Sequence, residues 1–421
     1  MRRAIAAVVV VWAIGAAPPA SAYSVLSHEA NIDALWDGSI KPLLRQRFPR
    51  ASADQIERAR AFAYGGSVIQ DLGYYPFGNH FFSNLVHYVR SGDFVEALLH
   101  DAHDLDEYAF AIGALGHYAA DNLGHPVAVN RAVPLMYPKL RARYGDAVTY
   151  YEAPKNHILV EFSFDVVQVA AGAYAPESYH RFIGFEVAQP LLERAFRDTY
   201  GLELKDLFFD QELTIGTYRY AVSHAIPQMT RVAWHDKRDE IEKLRPGAQQ
   251  KEFVFNLSRQ EYEKAFGARY QRPGVVARVL AFLYKIVPKI GPFQVLSFKA
   301  PTGEVEKLFL DSFQQARDRF HQSLDALRAG RLNLPNTDFD TGRPAARGEY
   351  PLADETYAEL VDQLAGRKFA GVPAGLQTNI ARYYGALDPI PNESRKDRKR
   401  DARIKQELAG LSAASTTSPR R

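Results

Sequence analysis

Gly116-His117-Tyr118-Ala119-Ala120-Asp121-Asn122-Leu123-Gly124-His125-Pro126 decides how the rest of this chain is read. His117, Asp121 and His125 are spaced by four, which sets them on one face of a helix with a slow drift around its axis. The rise from first to last is about 12 Å, too far for one ion to take both directly, but Asp121 between them could bridge two ions. Ala111, Gly113, Ala114, Gly116, Ala119 and Ala120 surround the three, so neighbouring backbones can approach this helix closely. Ionisable side chains in line on a nearly buried helix need partners, because buried charge must be paired or metal-bound. A polar network of core histidines around Asp121 and a metal site both meet that need. The metal reading is preferred once the rest of the chain is added.

His157 and Glu161 are another pair four apart, flanked by Ile158, Leu159, Val160, Phe162 and Phe164, which is no solvated helix face. Asp71 follows Val68-Ile69-Gln70 and opens Leu72-Gly73-Tyr74-Tyr75-Pro76, a loop suited to aiming a carboxylate into a cleft. Eight of the twelve histidines precede residue 160, so the first portion of the chain is where a site is built. His100 and His103, in an aspartate-rich stretch, read as surface residues. The chain has no cysteine, which excludes a disulfide-linked partner, thiol nucleophiles and thiolate metal sites. Three histidines and three carboxylates without a thiol suit zinc held by nitrogen and oxygen. Zinc that acidifies a water and steadies a phosphoryl oxygen suits phosphate-ester hydrolysis better than hydride or group transfer.

The chain is 421 residues long with 47% apolar and 12% aromatic residues, which excludes a disordered or fibrous protein and leaves room for a sizeable core. The net charge of +3 argues neither for nor against a polyanionic partner. Apolar residues recur at three- and four-residue spacing through most of 27–224 and again in 303–328, with Ser52 and Gln55 forming a capping box, so the fold class is all-α. Arg2 and Arg3, the apolar run Ala4 to Ala17 and the small residues Ala20-Ser21-Ala22 read as a signal peptide over 1–22. The protein is therefore expected to be exported, periplasmic or extracellular, with Tyr23 as its first mature residue. A helical domain is expected over 23–240, a helical extension over 241–332 and a polar, partly disordered tail over 333–421. Within the extension, Val275 to Val287 reads as a core helix, the alternative being peripheral membrane contact.

At these histidines and carboxylates the chain resembles the superfamily of zinc-dependent phospholipases C and single-strand-specific nucleases, an all-helical fold with three clustered zinc ions. In that superfamily the mature chain begins with an aromatic residue whose amine and carbonyl bind zinc, and in the nuclease branch a histidine is sixth. Tyr23 and His28 fit that spacing, with tyrosine where the relatives have tryptophan. The resemblance implies Asp71, His117, Asp121 and one further histidine as ligands of the first ion. It implies His125, His157 and Glu161 for the second, and Tyr23, His28 and Asp121 for the third. The step from Asp121 to His125 is closest to the glycosylphosphatidylinositol-specific phospholipase D branch. The further histidine is His87 or His80. His87 is preferred because it sits within an apolar helix, whereas His80 stands at a helix start.

The resemblance implies an exported zinc-dependent phosphodiesterase acting on phospholipids, with Asp71 orienting or deprotonating the attacking water. A zinc-dependent nuclease acting on nucleic acid is the alternative, and a non-enzymatic zinc-binding exported protein is the third reading. Tyr74, Tyr75, Phe77, Phe81 and Phe82 would serve the first two equally, as a lipid-facing rim or a base-stacking platform.

Overall fold

The computed structural model describes residues 24–75, 77–170, 185–220, 222, 299, 301–385 and 395–417. Tyr23, the signal segment, Val275 to Val287 and most of 241–332 lie outside the described residues. The first half carries α1 (Val25–Leu35), α2 (Lys41–Arg47), α3 (Ala53–Val68), α4 (His80–Tyr88), α5 (Ser91–Asp101), α6 (Leu105–Leu123), α7 (Asn130–Met136), α8 (Pro138–Tyr144) and α9 (Pro154–Ala170). After it come α10 (Gln189–Tyr200), α11 (Leu204–Leu207), α12 (Gln211–Tyr220), α13 (Gly303–Arg328), α14 (Pro351–Gly366), α15 (Ala374–Tyr383) and α16 (Arg395–Thr417). The fold is all-α, as the periodicity predicts. A lone antiparallel bridge, Thr337 to Pro344, is the β-structure among the described residues. No described helix is long and apolar enough to cross a membrane.

α6 is the central helix, buried on every side from Tyr108 to Asp121. Asp104 caps its start by accepting from the Glu107 N–H at 2.8 Å. Its tightest partner is α3, itself opened by the capping box of Ser52 and Gln55. The two backbones meet at glycine. A β-carbon on Gly66 would stand 1.8 Å from the Phe110 carbonyl oxygen, and one on Gly113 would stand 2.0 Å from that of Ala63. Such an approach admits no side chain at either position. The closeness matters for function because it brings the last turn of α3 under His117. α13 covers another flank of α6, with Phe320 against Gly116.

Two expectations are corrected by this architecture. His125 does not continue the helix of His117 and Asp121. α6 ends at Leu123, and Gly124–Val129 forms a π-helical turn. Pro126 has no N–H to give to the α-helical ladder, and the wider turn re-aims His125. The polar tail expected from 333 is, over 333–385, packed structure. Leu334, Phe339, Tyr350, Tyr357, Leu360 and Leu364 are buried there, and Thr337 Oγ1 donates to Asn122 Oδ1 at the end of α6. Composition misleads here because the polar residues of this stretch are themselves buried and bonded: Thr337, Asp338 and Asp340 are all nearly inaccessible.

Candidate metal centre

The expected ligands that fall among the described residues converge into three buried sets. They are Asp71 with His87 and His117, His28 with His117 and Asp121, and His125 with His157 and Glu161. Within each set the ligating atoms lie within 4.8 Å of one another. Each residue is placed by a different element. His28 comes from the first turn of α1, which Asp165 fixes by accepting from the Leu26 N–H at 3.1 Å and the Ser27 hydroxyl at 2.6 Å. Asp71 sits in the 3-10 turn Ile69–Tyr74. Ser83 clamps that turn, donating to the Gln70 carbonyl at 2.5 Å and accepting from the Gly73 N–H at 2.9 Å.

Of His80 and His87, the geometry brings His87 to the carboxylates. His87 Nε2 stands 3.5 Å from Asp71 Oδ1 and 3.5 Å from Asp121 Oδ2. His80 is exposed and meets the edge of the Tyr74 ring. His100 and His103 are also exposed, as expected.

Tautomers make the fit to a metal specific. His87 Nδ1 lies 2.7 Å from the Ser83 carbonyl oxygen and His117 Nδ1 lies 2.9 Å from that of Ser67. A carbonyl only accepts, so both Nδ1 atoms carry a proton and Nε2 is the nitrogen each neutral ring has left for a metal. Those two Nε2 atoms face each other at 3.4 Å. Two lone pairs at that distance repel, so the contact calls for a proton on one nitrogen or a metal ion between the two. Two ligands of one tetrahedral zinc, bonded at 2.0–2.1 Å, stand about 3.3–3.4 Å apart. Further edges have the same length: His117 Nε2 to Asp121 Oδ2 is 3.1 Å, His28 Nε2 to Asp121 Oδ1 is 3.4 Å, and His157 Nδ1 to Glu161 Oε1 is 3.5 Å. Both Asp121 oxygens are buried without a hydrogen bond, and each faces a different set. His157 Nε2 donates to the Val148 carbonyl at 2.7 Å, which turns Nδ1 to Glu161. The donor sets therefore fit zinc.

Charge follows the same geometry. Burial lowers His28 to about 4, His117 adding to the effect, and burial lowers His157 to about 4. Both rings are thus neutral near pH 7, as ligands must be. Burial also opposes a charge on His87, but Asp121 and Asp71 outweigh it and raise that ring to about 9. Burial disfavours the Asp121 anion too, yet His117, His28 and His87 hold it well below the usual carboxylate range.

The aromatic residues divide. Tyr74 and Tyr150 pack beside the site, their rings 5.8 Å from His87 and 6.0 Å from His157. Phe81 and Phe82 do not line it. They are core residues, Phe82 packing on Phe196 and Phe208, so neither serves as rim or stacking platform. Sequence reasoning missed Phe339, whose ring lies 5.1 Å from His87 and 6.1 Å from His117. It also missed Asp340, whose Oδ1 stands 3.2 Å from His125 Nδ1. Burial raises Asp340 to about 7, against the pull of the Tyr350 hydroxyl bonded to it. The available signal was the acid-aromatic-acid triplet Asp338-Phe339-Asp340.

The fold and site define an all-helical protein whose buried nitrogen and oxygen donors are grouped as a metal centre would need them. Residues 19–210 match the family model described as zinc dependent phospholipase C. Over that stretch the chain is similar to the zinc-dependent phospholipase C family. Neither curated proteins nor solved structures give a match.

Proposed function

We propose that this chain is an exported zinc-dependent phosphodiesterase that holds three ions and hydrolyses the phosphodiester of phospholipids. The observation that carries the reading is the pair of imidazole Nε2 atoms 3.4 Å apart, buried between Asp71 and Asp121. Zinc, when bound, supplies a Lewis acid that makes water a nucleophile near neutral pH and offsets charge on phosphoryl oxygens. His87 and His117 with Asp71 and Asp121 hold the first ion, and His125, His157 and Glu161 hold the second. Asp121 turns its other oxygen to His28 for the third, and the family resemblance implies the amine and carbonyl of Tyr23, outside the described residues, for the rest of that set. The Ser24 carbonyl accepts from the Ser27 N–H at 3.0 Å and so opens the helix that carries His28. Asp71 orients or deprotonates the attacking water. Tyr74 and Tyr150 wall the site and restrict bulk water.

The family matched by 19–210 supports a phospholipid substrate over nucleic acid. The test is an assay of the zinc-loaded protein beginning at Tyr23 on mixed phospholipid micelles and, side by side, on single-stranded DNA. Lipid turnover is expected, falling by about 10²–10⁴-fold in Asp71→Asn and also falling in Glu161→Ala. Nucleotide release without lipid turnover would overturn the lipid reading in favour of a nuclease. No turnover of either by the fully loaded protein would leave a zinc-binding protein without this activity.

A further inference from the structure

Asp340 lies far beyond residues 19–210, in the segment whose composition reads as a tail, yet its side chain is completely buried. Its two oxygens face two parts of one ligand set. Oδ1 stands 3.2 Å from His125 Nδ1. Oδ2 accepts the Tyr150 N–H at 3.1 Å and also the Tyr350 hydroxyl. Two residues before Tyr150, the Val148 carbonyl takes the Nε2 proton of His157 at 2.7 Å. Asn130 closes the ring, donating to the Asp340 carbonyl at 2.7 Å and accepting the Val148 N–H at 2.8 Å.

We infer that Asp340 is a positioning residue for the ion of His125, His157 and Glu161, holding His125 as its Nδ1–H tautomer and fixing the loop that orients His157. This rests on the reading of those three residues as one ion's ligands. A neutral imidazole carries one proton, and placing it on Nδ1 opposite a carboxylate leaves the Nε2 lone pair for the metal. In His87, His117 and His157 a backbone carbonyl takes the outer proton. For His125 a carboxylate oxygen stands at that place, 3.2 Å from Nδ1, and by taking the proton there it would raise the basicity of the ring and strengthen it as a ligand. The asymmetry has a use. Asp71 and Asp121 both lie beside His87, whereas the second set has Glu161 alone among its three members. Asp340 places a second carboxylate at that ion.

The experiment compares the full-length protein with Asp340→Asn and Asp340→Ala, counting zinc during titration with a competing chelator. Thermal unfolding and the cobalt-substituted absorption spectrum are recorded for each. In Asp340→Ala one ion per chain should leave at about 10–100-fold lower chelator concentration, the others holding, with a change in the cobalt bands. Asp340→Asn keeps an oxygen that can accept from Nδ1, so it should fall between this variant and the wild type. Wild-type affinity for every ion in Asp340→Ala overturns the inference, as does loss of all ions together in step with unfolding. If Asp340→Ala does not fold, selective weakening of one ion in Asp340→Asn supports the inference and unchanged affinity overturns it. A wild-type chain holding one zinc or fewer after remetallation would instead defeat the reading of the ion sets.

Discussion

His87 shows how much a single residue's chemistry depends on its surroundings. Its apolar neighbours in the sequence already argued that an imidazole there needs a partner, and the structure supplies Asp71 and Asp121. Without metal those carboxylates keep the ring protonated up to about 9, whereas coordination requires it neutral. Zinc uptake at pH 7 should therefore release at least about one proton per chain, while His28 and His157, already neutral, release none. The apparent affinity at that ion should rise about tenfold per pH unit from pH 7 and level off above about 9. Calorimetric titration in two buffers of different ionisation enthalpy measures the release, and uptake without protons would contradict the assignment. In the metal-free fold the same raised pKa is a stabilising term, fully present below about 6.5 and lost as pH rises through about 9. The candidate ligands of α6 and α9 were legible as neighbours because their spacing of four fits a helix face. Asp340 was not, since the triplet Asp338-Phe339-Asp340 marks an unusual spot without saying that a polar stretch after a long helix returns to His125.

Among the elements, the helices themselves were legible and their meeting points only partly so. Ser52 and Gln55 announced the start of α3, and the small residues around His117 announced a close neighbour, without naming it. The neighbour is α3, which supplies the Ser67 carbonyl to His117 at 2.9 Å. Gly66→Ala forces a β-carbon to within 1.8 Å of the Phe110 oxygen, so the helices must separate. The expected cost is at least ~1–3 kcal/mol, seen as a lower unfolding midpoint, with weaker zinc retention as His117 loses its carbonyl. Gly303→Ala, where a β-carbon meets nothing within 4 Å, is the control and should be near neutral. Equal midpoints for the two variants would contradict this account of the α3–α6 contact. The break after α6 was harder to read. Pro126 signals a disturbed helix, but whether the chain kinks, stops or widens into a π turn depends on what it packs against.

On the scale of the whole molecule, the half that carries the candidate metal ligands does not stand apart from the C-terminal segments. The Phe339 N–H donates to the His87 carbonyl at 3.2 Å, and the Tyr118 hydroxyl donates to the Pro335 carbonyl at 2.8 Å, so residues 333–340 form a wall of the centre. A chain ending at Leu332 would lose the buried Phe339, Tyr350 and Tyr357 as well as Asp340. It should unfold at a lower temperature than the full chain and retain fewer ions. If 23–240 were self-sufficient, the truncated chain would keep both properties, and thermal unfolding with zinc counts distinguishes the two. The most direct test of the centre itself is elemental analysis of the processed, remetallated protein. Three buried sets, two of them sharing His117 and the third separate from both, require more than one zinc per chain, and nearer three. One zinc or fewer would contradict the account.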